Sequence, residues 1–304
     1  MIVLIIGLGS IANKHIVALK SLDSNITIYA LRSAHSPEVE GVGNIYNLDE
    51  LRMKPDFVII SNPTSLHYSA ISSAISLGAP IIIEKPVLHT LTGADELASR
   101  LMNENISTYV ACNLRFHPCI QFLKKSALEN KNINEVNIYC GSYLPDWRPG
   151  KDFNKIYSAN ESEGGGVHLD LFHEMDYACW LFGFPISHHG FRSNVSTLNI
   201  DASDYANYLL SYSKFNISIV LNYYRRHAKR TIEILFDNKT WIVDLIKCTI
   251  ANDEGKIIYS CPDFNIIESY KNQAAYFMDC IKKDETPMNS FNESLKILKI
   301  TLNG

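Results

Sequence analysis

Hydrophobic and polar positions fall into two regimes along the chain. In the first, short unbroken apolar runs alternate with stretches at helical spacing. Ile2-Val3-Leu4-Ile5-Ile6 is a run of β-branched residues and leucine, the pattern of a strand buried on both faces, as in a parallel sheet. Ile11, His15, Ala18, Leu19 and Leu22 then recur at helical spacing. Ile26–Leu31 and Phe57–Ile60 read as further strands. A helix follows with Ala70, Ile71, Ala74, Ile75 and Leu77 on one face, stopped by Gly78. Ile81-Ile82-Ile83 is a short buried strand that ends abruptly in Glu84-Lys85-Pro86; a helix near Leu91–Asn103 and a strand Thr108–Ala111 complete this part. A helix near Cys119–Leu128 and a strand Glu135–Tyr143 come next. From Ser187 the pattern turns strand-rich, with Asp204–Tyr212, Ile217–Tyr224, Thr231–Phe236 and Trp241–Ile246, and turns at Asp237-Asn238 and Asp253-Glu254-Gly255 imply hairpins. A helix near Ile267–Lys282 closes the pattern with a second one from Ser290, where Glu293 three residues on makes a capping-box signature.

The junction of the first strand and helix carries the first chemistry. Gly7-Leu8-Gly9-Ser10-Ile11-Ala12 is a G-x-G-x-x-A turn lying between them, the context that makes such a motif informative. Gly7 permits the tight turn, and Gly9 leaves the backbone bare for a pyrophosphate. Ala12 lets the helix pack close, and the N–H groups of Ser10, Ile11 and Ala12 face the anion. This is a dinucleotide site. At the end of the second strand, where a carboxylate would grip a ribose 2′-hydroxyl, stands Leu31-Arg32-Ser33. Arg32 and Ser33 suit a 2′-phosphate instead, which favours NADP(H) while leaving NAD(H) possible. Ligands of open α/β sheets lie beyond the carboxyl ends of the strands, so Asn62, Thr64, His67, Glu84 and Lys85 are expected at the cofactor. Lys85, tied to a strand end by Pro86, is a candidate proton carrier.

The second half holds two further candidate stretches. In Leu144-Pro145-Asp146-Trp147-Arg148-Pro149-Gly150, Trp147 and Arg148 suit a sugar-like ligand through ring stacking and bidentate bonds, and equally a packed loop. Gly164-Gly165-Gly166 precedes a helix in which Asp170 and His173, and His173 and Asp176, lie three apart and hence adjacent. A carboxylate beside an imidazole orients it for acid/base work. The alternatives are a plain core histidine, or metal ligation by His168, Asp170, His173 and Asp176. No Cys joins that set and H-E-x-x-H is absent, so no metal is expected.

Composition narrows the class. A chain of 304 residues makes two domains most naturally, and 46% hydrophobic with 20% charged residues is ordinary for a globular protein. A net charge of -4 gives no electrostatic footprint for nucleic acid or an anionic membrane. No apolar stretch has transmembrane length, and the N-terminal run lacks the basic flank of a signal peptide. Seven scattered cysteines without C-x-x-C spacing indicate reduced thiols and a cytoplasmic protein.

The glycine turn, Asn62-Pro63-Thr64-Ser65-Leu66-His67 and Glu84-Lys85-Pro86 together resemble the Gfo/Idh/MocA oxidoreductases, which include glucose–fructose oxidoreductase and inositol dehydrogenase. The resemblance implies an α/β protein: an N-terminal Rossmann domain with a doubly wound parallel sheet over 1–115, then an α+β domain with a large, mostly antiparallel sheet over 116–304. It implies that Lys85 lies beside the nicotinamide and joins proton transfer, and that Arg115 in Asn113-Leu114-Arg115-Phe116-His117-Pro118 faces the active-site region. His173, Asp176 and Trp180 keep the family's H-x-x-D-x-x-x-W frame, which makes His173 catalytic with Lys85. Asp170 joins them, although many members space Asp and His four apart rather than three. Lys85, Arg115, Trp147, Arg148, Asp170 and His173 form the implied substrate set. The stretch Asn113–Gly183 resembles a bacterial subgroup associated with surface-sugar biosynthesis. The expected activity is NAD(P)-dependent hydride transfer to or from a secondary alcohol or ketone of a sugar, sugar acid or nucleotide sugar. The competing readings are a non-catalytic NADP-binding regulator and a metal-dependent lyase. The open sheet face, carrying Tyr208, Leu210, Tyr223 or their neighbours, is expected to pair copies into a homodimer or homotetramer.

Overall fold

The computed structural model describes residues 1–33, 38–126, 128 and 132–303. Two compact units result: Met1–Asn113 with Asn265–Leu298, and Leu114–Phe264 with Lys299–Gly304. The first contains β1 (Ile2–Ile6), α1 (Ser10–Leu22), β2 (Thr27–Leu31), β3 (Val42–Ile45), β4 (Phe57–Ile60), α2 (His67–Ile75), β5 (Ile81–Glu84), α3 (Ala94–Asn103) and β6 (Thr108–Ala111). The six strands run in the order β3-β2-β1-β4-β5-β6, each pairing parallel. This is the doubly wound order, and its direction reverses between β1 and β4. Strands β4, β5 and β6 are buried at every position, as unbroken apolar runs require.

The second unit contains α4 (Pro118–Lys125), β7 (Ile133–Tyr143), α5 (Val167–Asp170), α6 (His173–Phe182), β8 (Ser187–Ser193), β9 (Tyr205–Ser211), β10 (Asn216–Asn222), β11 (Tyr224–Phe236), β12 (Thr240–Asp244), β13 (Thr249–Asn252) and β14 (Ile257–Ser260). Helix α4 ends before the expected residue 128, and residue 127 lies outside the described part. The eight strands order as β14-β13-β12-β11-β7-β10-β9-β8. All neighbours are antiparallel except β7 and β10. Helices α5 and α6 pack on one face, against β9, β10 and β7.

One local expectation is corrected and a second is narrowed. The helix after the glycine run is not continuous, because Leu171 leaves helical geometry (φ -95°, ψ 38°) between α5 and α6. Asp170 therefore ends one helix while His173 begins the next, and they are not neighbours on one helical surface. Of the residues expected on the open sheet face, Tyr208, Leu210 and Tyr223 are each 0% exposed, and their neighbours Leu209 and Tyr224 are the exposed ones, at 45% and 39%. In a strand the side chains alternate, so Tyr208 and Leu210 of β9 share the covered face while Leu209 between them points outward.

The chain closes with α7 (Ile266–Lys283) and α8 (Phe291–Leu302). The Glu293 N–H donates to Ser290 Oγ at 3.3 Å, so the capping expectation holds at that bond. Contacts place 265–298 in the first unit. Phe277 of α7 meets Phe57 edge-on at 5.7 Å, and Tyr270 meets His15 of α1 at 5.5 Å. A boundary drawn at residue 115 thus leaves out the helices that return to cover the first sheet.

Candidate functional site

The turn after β1 has the geometry a dinucleotide requires. Gly7 has φ +90°, and a Cβ there would come within 2.8 Å of the Asn62 backbone. This close approach of the β1 and β4 ends is sealed by Ser61 Oγ, which donates to the Gly7 carbonyl at 2.8 Å. A Cβ on Gly9 would meet nothing within 4 Å. Gly9 is also the N-cap of α1 and brings no side-chain cap, so the first N–H groups of the helix face that same open space. Ala12 is 0% exposed, a fully buried position that its small side chain suits. A bare backbone and uncapped N–H groups at the reversal of strand order fit a pyrophosphate.

The other strand ends sort into liganding candidates and struts. Asn62 Oδ1 is buried without a hydrogen-bond partner, an acceptor available to a ligand donor. Thr64 is buried one turn before α2, whereas Ser10 and Ser33 are exposed. Arg32 is buried, and its Nη1 donates to Asn44 Oδ1 at 3.1 Å, which fixes the guanidinium at the end of β2 beside β3. His67 plays a different part from the expected cofactor contact. Its ring faces the carbonyls of Pro86 at 3.0 Å, Val87 at 3.2 Å and Asn62 at 3.2 Å. It ties the loop after β4 to the loop after β5, and burial pushes its pKa below the ordinary value. Glu84 is likewise a strut: its Oε1 lies 2.6 Å from His15 Nε2, which locks β5 to α1. Lys85 follows directly, half-buried, on a cis bond to Pro86.

In the second unit Asp170 is the focus. Its oxygens accept from Tyr157 Oη at 2.8 Å and Tyr223 Oη at 2.6 Å. Burial, and then the carboxylate, push both phenols well above their usual range, so they remain donors. Trp147 lies edge-on to Tyr223 at 5.3 Å and donates to Ser142 Oγ at 2.9 Å; the Arg148 guanidinium sits 5.6 Å from the Tyr157 ring centre. Trp147, Arg148 and Asp170, read separately from the sequence, are therefore linked through two tyrosines. Sequence reasoning missed those tyrosines, since neither carries a local motif. Gly165 is obligatory beside them: a Cβ would lie 2.1 Å from the Tyr157 carbonyl.

Arg115 is not available to a ligand in the expected way. Its Nε and Nη2 donate to Asp176 at 2.9 and 2.7 Å, both groups 1% exposed, and its guanidinium lies 5.4 Å from the Trp180 ring centre. Asp176 and Trp180 thus hold Arg115. His168 faces Arg192, whose Nη1 donates to its Nε2 at 3.1 Å. With Asp170 on tyrosines, Asp176 on an arginine and His168 beside a cation, the four residues weighed as metal ligands do not form a cation site.

A parallel sheet in this order, with an open glycine turn at its reversal point, defines a dinucleotide-binding unit. Residues 1–111 match the Gfo/Idh/MocA family, described as an oxidoreductase family with an NAD-binding Rossmann fold. An uncharacterised oxidoreductase of Schizosaccharomyces pombe is 31% identical over 185 residues, 57% of this chain and 49% of that protein. The scyllo-inositol 2-dehydrogenase (NADP(+)) of Bacillus subtilis is 26% identical over 175 residues, 56% of this chain and 47% of its own length. The chain thus spans about half the length of these curated relatives. A solved structure of UDP-N-acetylglucosamine 3-dehydrogenase from Acidithiobacillus ferrooxidans matches 100% of this chain and 96% of its own, with a TM-score of 0.82 and 17% identity. That likeness is one of fold. Among the described residues no helix is long and apolar enough to cross a membrane.

Proposed function

We propose that this protein is an NAD(P)-dependent oxidoreductase acting on a secondary alcohol or ketone of a sugar, sugar acid or nucleotide sugar. The observation that carries the cofactor half is the open space at Gly9, facing the uncapped start of α1. When bound, the nicotinamide gives or takes the hydride. The chain handles the accompanying proton: Lys85 and His173 exchange it with the substrate oxygen, and Asp170 holds the substrate in the orientation its tyrosines impose. The fold shared with a nucleotide-sugar dehydrogenase, and the relative that acts on scyllo-inositol, support a polyhydroxylated substrate. NADP(H) is the preferred cofactor, since Leu31-Arg32-Ser33 offers a guanidinium held by Asn44 and no carboxylate. The protein works as a homo-oligomer in the cytoplasm, where cysteines that form no disulfide would stay reduced.

The test is a screen of sugars, sugar acids and nucleotide sugars with both cofactors, followed at the nicotinamide absorbance. Lys85→Met and His173→Asn should each lower turnover by roughly 10²-fold or more while cofactor affinity stays within a few fold. Unchanged turnover in both variants would refute the catalytic assignment. Equal affinity for NADP(H) and NAD(H) would refute the cofactor preference. Tight cofactor binding with no alcohol or carbonyl turned over would favour a sensor.

A further inference from the structure

A second cluster, built from residues the oxidoreductase reading does not use, lies at the start of α4. His117, Cys119 and Cys248 each offer a ligand atom within 4.8 Å of the others. They are 2%, 0% and 4% exposed. We propose that these three residues, with Cys261 as the fourth, form a binding site for one thiophilic divalent cation of the zinc class.

The spacing is that of a tetrahedral site. The sulfurs of Cys119 and Cys248 lie 3.8 Å apart. Zinc–sulfur bonds of about 2.3 Å at tetrahedral angles put two thiolates about 3.8 Å apart. The imidazole is prepared in the manner of an ion-binding histidine. His117 Nε2 lies 3.1 Å from the Leu245 carbonyl. A carbonyl only accepts, so Nε2 carries the proton and Nδ1 keeps its lone pair. That lone pair accepts a 3.2 Å bond from the Cys119 N–H at the start of α4, which a cation would replace. Phe264 packs edge-on to the ring at 4.8 Å and keeps it in place.

The backbone at Cys248 points the same way. Its φ is +53° in the turn between β12 and β13, a conformation that residues other than Gly, Asn and Asp seldom adopt. This strained position holds a thiol against Cys119. Cys261, just after β14, donates its N–H to the Cys248 carbonyl at 2.9 Å, and its thiol interacts with that of Cys248. It is only half-buried and offers the way in from solvent. The ligands come from a helix start, a turn and a strand end, which is why no C-x-x-C or H-x-x-x-H spacing announces them. Binding displaces one proton from each thiol to solvent. Two thiolates neutralise a divalent ion in the buried part, and the third negative charge falls at the exposed rim. The bound ion would clip α4, the β12–β13 turn and the end of β14 together.

The test uses the full chain, purified with reductant and passed over a desalting column. Metal analysis should find about one zinc per chain. After chelation, anaerobic Co²⁺ should give thiolate-to-cobalt charge-transfer absorption in the near ultraviolet and the strong visible bands of a tetrahedral site. Cys119→Ser and Cys248→Ser should each lose the thiolate absorption and the retained zinc, whereas Cys280→Ser, a thiol of the other unit, should keep both. Zinc should raise the melting temperature of the unmodified protein and not of the two cluster variants. If the variants fail to fold, the cobalt spectrum of the unmodified protein decides. No charge-transfer band and no retained zinc would overturn the proposal. So would a Cys119–Cys248 disulfide found by mass spectrometry in an ion-free protein, or a cobalt spectrum unaltered in the folded variants.

Discussion

Gly7 and Gly9 stand two residues apart and are required for opposite reasons. At Gly7 the reason is the fold: φ is +90° and the Asn62 backbone fills the space of a Cβ. Gly7→Ala should therefore destabilise the protein by about 1–3 kcal/mol or more, read as a lower urea midpoint. At Gly9 the reason is the ligand, since a Cβ meets nothing of the protein. Gly9→Ala should leave the melting temperature unchanged and weaken NADP(H) binding about tenfold or more, as a methyl group takes the place of the pyrophosphate. Undiminished affinity in Gly9→Ala would count against the cradle. His168 gives a third residue-scale outcome. Burial, reinforced by the Arg192 cation, lowers its pKa from 6.5 to about 3. The unfolded chain thus binds a proton that the fold excludes, and stability falls as pH drops from about 6.5 towards 3. Between pH 7 and 5 the loss from this residue is about 2 kcal/mol. His168→Gln should remove that share, giving a smaller difference between urea midpoints at the two pH values.

At the scale of elements, the break between α5 and α6 organises the second unit. It turns Asp170 towards Tyr157 and Tyr223 and leaves α6 to be anchored by the Arg115–Asp176 pair. Both partners of that pair are buried, so removing one charge strands the other. Asp176→Asn should cost about 3–5 kcal/mol in urea unfolding, and Arg115→Met with Asp176→Leu should recover much of it. A loss below 1 kcal/mol in the single variant would mean that water reaches Arg115. The sequence could not announce the break, because Leu171 and Phe172 are compatible with a helix and no Gly or Pro interrupts them. What fixes it is tertiary: two distant phenols bond the carboxylate at the end of α5. The buried strands were legible for the opposite reason. Runs such as Phe57–Ile60 and Thr108–Ala111 have no polar face to confuse the pattern, and they appear at those boundaries. Strand β8, Ser-His-His-Gly-Phe-Arg-Ser, and the start of β11 are polar and largely exposed, so their partners in the ladder define them. In the site, positions set by backbone chemistry were readable. The struts His67 and Glu84 and the spent Arg115 carry functional residue types, and only their partners reveal their work.

For the whole molecule, the phase of the second sheet decides which residues face outward. Side chains alternate, so the burial of Tyr208 and Leu210 on the face that α5 covers turns Leu209 to the other face. The ladder carries that face across the sheet: Leu209 pairs with Ser218, Ser218 with Asn137, Asn137 with Glu233, and Glu233 with Ile242. Phe191 joins it beside Asn207. Phe191, Leu209 and Ile242 are 62%, 45% and 42% exposed. These three exposed apolar residues share one sheet face, which makes that face the candidate interaction surface. The sheet edges are a poorer candidate, because β14 at one end is short and β8 at the other is polar. The homo-oligomer proposed above is expected to form through this face, with Phe191, Leu209 and Ile242 in the contact rather than Tyr208, Leu210 and Tyr223 themselves. Sedimentation at micromolar concentration should show a dimer or a tetramer. Leu209→Lys combined with Ile242→Lys should shift it to the monomer, since two cations per subunit would be buried without partners. The same double variant should keep its far-ultraviolet circular dichroism, because both side chains leave the covered face untouched. A monomer in the unmodified protein would refute the assembly, and a variant that remains fully oligomeric would move the contact to another surface.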